Sequence, residues 1–145
     1  MSLPPGLDSI SAIVCEKILQ EADGPVSAIR IVDVFYFSVI PELPLERQPV
    51  QVCVVINGAI ESQDVNDHAV SLDLLRPSGE VTALGEPYKG SFPSKIPGAP
   101  TGFTINAQVG VIPRNVGPHH LRVYFDGVLV TKARFTLLER SAQAV

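Results

Sequence analysis

An Asp-Gly pair at residues 126–127 separates two runs of alternating apolar and polar residues, HHLRVYF (119–125) and VLVTKARFTLL (128–138). Turn chemistry of this kind between two period-two runs specifies a β-hairpin, and it constrains the fold more than any other stretch of the chain. A two-residue loop at Asp126-Gly127 would pair Phe125 with Val128, Val123 with Val130 and Leu121 with Lys132, placing a lysine on the apolar face. A three-residue loop of Phe125, Asp126 and Gly127, with Gly127 left-handed in a G1 bulge, pairs Tyr124 with Val128, Val123 with Leu129 and Leu121 with Thr131. The second register is the expected one. It gathers Leu121, Val123, Leu129, Thr131, Ala133, Phe135 and Leu137 on one face and leaves His120, Arg122, Lys132 and Arg134 on the other. Because side chains alternate with a period of two, that separation is what sets the register.

The rest of the chain reads in the same way. ISAIVCEKILQ (10–20) fits a helical stripe through Ile10, Ile13, Val14 and Ile18, or an alternating strand through Ile13, Cys15 and Leu19. The turn chemistry of EADGP (21–25) and the β-branched, aromatic run VSAIRIVDVFYF (26–37) favour two antiparallel strands. Pro41, Pro44 and Pro49 then mark an extended crossover between sheets. VQVCVVIN (50–57) turns Val50, Val52, Val54 and Ile56 inward and leaves Gln51, Cys53 and Asn57 on the other side. Val70, Leu72 and Leu74 form a strand that returns through Pro77–Gly79 to 81–84. Residues 85–102 hold four prolines and four glycines, which argues for a long loop. Strict alternation resumes with Phe103, Ile105, Ala107, Val109 and Val111 inward. The reading is an all-β chain, a two-sheet antiparallel β-sandwich of about eight strands, with a lead-in at 1–9, one domain at 10–138 and a tail at 139–145.

A chain of 145 residues can bury roughly 70% of its unfolded surface, enough for a core without disulfide or metal staples. Charged residues make up only 18% against about 25% in typical soluble domains, so some apolar surface is expected to be covered by another subunit, most simply in a two-fold homodimer. Eleven basic against fifteen acidic residues give a net charge of −4 without a basic run, which argues against nucleic acid as a partner. The two cysteines, Cys15 and Cys53, have no metal-ligand spacing and read as reduced, packed thiols. No leader pattern and no run of about 18 apolar residues occurs, so the expected location is cytoplasmic, without a membrane partner.

Three stretches, AIVCEKILQEADGPVSAIRIVDVF, VSLDLLRPSGE and GPHHLRVYFDGVLVTKARFTLL, together resemble an uncharacterised bacterial family of β-sandwich domains known only as a domain of unknown function. The resemblance covers most of residues 10–138. It implies the strand reading of 10–20 and an immunoglobulin-like or related two-sheet fold, and it brings no catalytic or binding residues; fold alone does not imply function.

Candidate chemistries are few. His119 and His120 are neighbours on a strand and point to opposite faces, so one ion cannot easily collect both. His119 is expected partly buried, and His120 solvated beside Lys132, where basic neighbours favour its neutral form. In an EF-hand frame the run 64–68 places His68 at the fifth ligand, Ala69 at the required glycine and Leu75 at the bidentate glutamate, and that frame fails. Glu61, Asp64 and Asp67 remain as a weaker loop site for calcium, with a carbohydrate-binding sandwich as the related alternative. Cys15 or Cys53 with His68 is a remote hydrolase arrangement; no nucleophile elbow, phosphate loop or cofactor motif occurs. Asp33, if buried, would need Arg30 or Arg122 as a partner.

From these readings the expected function is a non-enzymatic binding or structural module that contacts a protein partner or itself. No catalytic residue and no cofactor is expected. The expected contact surface is the proline-rich loop, where Tyr88, Lys89, Phe92 and Lys95 alternate aromatics with cations; the competing reading is that Tyr88 and Phe92 fold back as a lid over the core.

Overall fold

The computed structural model describes residues 3–20, 26–92 and 96–140. Ten strands follow one another: β1 (Leu7–Gln20), β2 (Val26–Ile31), β3 (Val34–Phe37), β4 (Val50–Ile60), β5 (His68–Leu75), β6 (Val81–Ala83), β7 (Tyr88–Gly90), β8 (Thr101–Val111), β9 (Gly117–Phe125) and β10 (Val128–Glu139), with one 3-10 turn at Leu45–Arg47. They build two open sheets packed face to face. The four-stranded sheet runs β2-β1-β4-β8; the six-stranded sheet runs β3-β10-β9-β5-β6, with β7 also paired to β5. Inward side chains of both sheets, among them Val14, Val52, Val54, Ile56, Ile105 and Val111 against Val70, Leu72, Leu74, Leu121, Val123, Phe125, Phe135 and Leu137, form one core. No helix among the described residues is long and apolar enough to cross a membrane.

Several expectations change in detail. The strands number about ten, not eight, and the sheets are not wholly antiparallel, because β3 runs parallel to β10 (Thr136 opposite Val34, Leu137 opposite Phe35). The run 26–37 divides at Val32-Asp33, where the chain passes from the four-stranded to the six-stranded sheet. The proline segment then carries it back. Asp33 is exposed, so it needs no buried partner, and Arg122 pairs with Asp73 instead. On β1 the core-facing residues are Ile10, Ala12 and Val14, while Cys15 sits with Cys53 and Val55 in a separate cluster. β1 begins at Leu7, a buried residue inside the expected lead-in, and β10 continues to Glu139. The proline-rich loop contributes the short β7. The turn expected at 21–25, and residues 141–145 of the expected tail, lie outside the described residues.

The organising hairpin has the register that the sequence argument set aside. Val128 pairs with Phe125 and Leu129 with Tyr124; a bulge intervenes, and pairing resumes with Thr131 opposite Val123, Lys132 opposite Arg122 and Ala133 opposite Leu121. Asp126 has φ 49° and Gly127 φ 82°, the two positive values of a type I′ turn, whose twist matches that of the strands. The bulge supplies one extra residue on β10, and this reverses the face of everything beyond it. Lysine 132 therefore faces outward without a three-residue loop. Phe125 and Val130 are buried, whereas Leu129, expected inward, is 43% exposed.

A Cβ on Gly127 would meet nothing within 4 Å, so the demand for glycine there is conformational and not steric. Gly127→Val is expected to destabilise the fold by about 1–2 kcal/mol, the cost of a left-handed L-residue, and Gly127→Asn by clearly less, since asparagine tolerates that region. Denaturant unfolding of the two variants checks this; equal losses would mean that the turn is not type I′.

Candidate functional site

The hairpin tip meets two groups from a distant part of the sequence. β5 lies beside β9 with Val70 opposite Phe125, so the start of β5 abuts the 126–127 turn. There His68 is held between two carboxylates: its Nδ1 lies 2.6 Å from Asp126 Oδ2 and its Nε2 2.8 Å from Asp64 Oδ1. Its ring packs on Phe125, with centroids 4.6 Å apart, and the residue is only 6% exposed. The second oxygen of Asp126 accepts from the Ala69 amide, and Asp64 accepts from the Asn66 amide. Gly6 closes the cluster from the N-terminal side, where a Cβ would collide with the Asp64 carboxylate. Two carboxylate acceptors on one imidazole are both satisfied only when both ring nitrogens carry hydrogen. Burial pushes the His68 pKa down, but the hydrogen bonds and charges of Asp126 and Asp64 push it up further, and the net is a rise above the ordinary 6.5. The same contact lowers the Asp64 carboxyl. This is an ionic clamp joining the β4–β5 loop to the hairpin turn.

Of the residues singled out from sequence, Asp64 belongs to this clamp. Asp67 and Lys89 line a cavity of about 370 Å³ beside it, with His68, Ala69, Gly90 and Asp126. Glu61 takes part through its backbone, donating to the Gly6 carbonyl and accepting from the Asp64 amide. Among the described residues no group of three or more His, Cys, Asp or Glu is placed to hold a metal ion. Tyr88 is 44% exposed and lines a cavity of about 410 Å³ between β6–β7 and β8, with Leu72, Leu84 and Val109. Phe92 packs on Phe103 at 5.0 Å and against the core. Tyr88 and Lys89 thus line different cavities and Phe92 packs inward; Lys95 lies outside the described residues.

The outer face of the six-stranded sheet collects a second constellation. Arg122, opposite Lys132, and His120, opposite Arg134, occupy alternate rungs of β9 and β10 and so share the outer face. Lys132 and Arg134 are exposed. Arg122 makes a bidentate pair with Asp73 at 2.7 and 2.8 Å, and its guanidinium lies 5.8 Å from the Tyr124 ring. At the far end of the face Arg140 sits 4.6 Å over Tyr36, which is 52% exposed. Asp33 borders Lys132 and Arg134 across a cavity of about 590 Å³. His120 registers the local field: burial first, then Lys132, Arg134 and Arg122, lower its pKa. His119 points the other way and is fully buried, donating from Nδ1 to the Gly117 carbonyl at 2.9 Å and stacking on Phe135 at 5.3 Å. Burial lowers its pKa, with Arg76 and His120 adding to the effect. Both thiols are raised, chiefly by burial.

No protein-family model and no curated protein matches the sequence, in keeping with the resemblance to an uncharacterised family. Among solved structures, the chain is similar to Pseudomonas fluorescens alkylpurine DNA glycosylase AlkC bound to DNA containing an abasic site analog. The identity is 12% and the TM-score 0.49, over 73% of this chain and 27% of that one. This chain therefore spans about a quarter of that neighbour's length. A neighbour in complex with DNA stands against two expectations from the sequence, a module contacting a protein partner or its own copy, and the exclusion of nucleic acid. Both are withdrawn.

The clamp generates a pH profile whose sign follows from proton linkage. His68, with its folded pKa raised, contributes stability that is complete below pH 6.5 and is lost as the pH rises through the folded value. His119 and His120, with lowered folded pKa values, cost stability as the pH falls from 6.5 through theirs. The thermal midpoint is expected to peak near pH 6.5. His68→Gln should lower the midpoint on the acid side of that peak and flatten the alkaline flank, as read by melting across pH. An alkaline flank of unchanged steepness in the variant would show that His68 does not carry it.

Proposed function

We propose that the protein is a non-catalytic, cytoplasmic binding module that holds a single-stranded nucleic acid along the outer face of its six-stranded sheet. The observation that carries this reading is the exposed pair Lys132 and Arg134 on alternate rungs of β10, beside His120 and the Asp73-paired Arg122, between Tyr124 at one end and the Arg140–Tyr36 pair at the other. From Leu129 to Leu138, β10 runs about 30 Å at roughly 3.3 Å per residue, so the face is a track and not a point site. Cations that follow a phosphate backbone, with aromatic rings on which bases stack, are the two elements of sequence-tolerant single-strand binding. The net charge of −4 does not oppose it, because a local basic face sets the potential that an approaching strand meets.

A binding role without catalysis is supported by the state of the groups that would do chemistry. His68 has both ring nitrogens engaged by carboxylates, so neither is available as a base. His119 is enclosed in the core, and the raised thiols of Cys15 and Cys53 are poor nucleophiles at neutral pH.

Fluorescence anisotropy with a labelled oligothymidine tests the reading. The wild-type chain should bind with an affinity that falls as salt rises. Lys132→Glu with Arg134→Glu should abolish binding at moderate salt, and Lys132→Gln with Arg134→Gln should flatten the slope of log K against log salt by roughly 1.4, two phosphate contacts at about 0.7 each. Affinity unchanged in both double variants would reject this face as the site.

A further inference from the structure

The two cysteines of the 145-residue chain fall on one rung. β1 and β4 pair antiparallel from Leu7 opposite Ile60 to Cys15 opposite Cys53, and the cysteine pair is the last rung before β1 departs from β4. Directly opposed residues of an antiparallel pair share a face, with Cα atoms about 4.5 or 5.5 Å apart depending on the rung. Both values lie inside the roughly 4.4–6.8 Å that a disulfide spans. The two side chains point away from the core between the sheets, into a small cluster with Val55 that Ile18 and Ala28 cover. Both thiols are free, and the Cys53 thiol donates to the Glu16 carbonyl at 3.6 Å.

We infer that Cys15 and Cys53 are a site of reversible oxidation, closing to a disulfide between β1 and β4 by exchange with a small-molecule disulfide. Cys53, slightly the more accessible of the two at 5% against 0%, attacks first: its thiolate displaces one thiolate from the disulfide and forms a mixed disulfide. The Cys15 thiolate then attacks the Cys53 sulfur and releases the second thiolate. The protein dithiol gives up two electrons, the small-molecule disulfide is reduced to two thiols, and these take up the two protons the cysteines lose. Because the sulfurs lie outside the main core, the bond forms without repacking the residues between the sheets. It encloses β2, β3 and the proline segment in one covalent loop, and by restricting the unfolded chain it raises the melting midpoint. Burial keeps both thiols protonated at neutral pH, so closure is slow and quickens with alkalinity.

The experiment is incubation of the full chain with excess oxidised glutathione at mildly alkaline pH, followed by intact mass and thiol titration in denaturant. The expected product is a monomer lighter by two hydrogen atoms, with no titratable thiol and a raised melting midpoint, all reversed by dithiothreitol. Cys53→Ser, checked for a native circular dichroism spectrum, should show no such mass loss and no gain in midpoint. Two thiols still titratable after prolonged incubation, two glutathione adducts on one chain, or a disulfide-linked dimer as the product would each overturn the inference.

Discussion

The phase of β10 relative to β9 governs what this protein presents on each side of its larger sheet. A type I′ turn alone would carry Lys132 inward and Phe135 outward, exchanging a cation for the ring that His119 stacks on and Phe35 meets edge-on. One bulge between Leu129 and Thr131 reverses that phase. Beyond it Ala133, Phe135 and Leu137 enter the core, and Lys132 and Arg134 join His120 and Arg122 outside. The turn and the bulge are both needed: the turn provides the twist that the strands require, and the bulge provides the parity that the core requires.

The same turn fixes the hairpin to its surroundings. Asp126 adopts positive φ within the turn and there offers one carboxylate oxygen to the Ala69 amide and the other to His68. Its side chain therefore ties the tip of β9–β10 to the start of β5, while Asp64 ties His68 to the preceding loop. An imidazolium between two carboxylates, backed by Phe125, orients three chain segments with little apolar area, at an end of the sandwich where the core has run out. It organises the scaffold, several rungs away from Lys132 and Arg134 on the outer face.

Much of this was legible in the sequence. Alternation assigned the inward residues of β5 and β8 correctly, because those strands have a clean period of two, and also those of β4, although its other face is apolar at Cys53 and Val55. The outward set of the hairpin was also legible, from charge. Three features were not. The bulge at Val130 leaves no mark of its own, since VLVT contains no glycine, proline or other break in an apolar strand-like run, and the lysine was kept off the apolar face by the wrong device, a longer loop. The exit of the chain at Val32-Asp33 is marked only by Asp33 within an otherwise strand-forming run, and that one residue was read as a candidate for burial, not as a break. On β1, Ile13 and Cys15 are as apolar as Ala12 and Val14, so pattern could not say which pair faces the core. The clamp was invisible for a different reason: Asp64 and His68 are neighbours in sequence, but Asp126 arrives only through the β5–β9 register, which no local signal encodes.

The central claim is that register, which sets Lys132 and Arg134 on the outer face. Nuclear Overhauser contacts across the β9–β10 ladder in isotope-labelled protein test it most directly. The account expects contacts linking Arg122 with Lys132 and His120 with Arg134, together with Tyr124 to Leu129 on the turn side of the bulge. Contacts linking Leu121 with Thr131 and Val123 with Leu129 instead would establish the three-residue loop and contradict it.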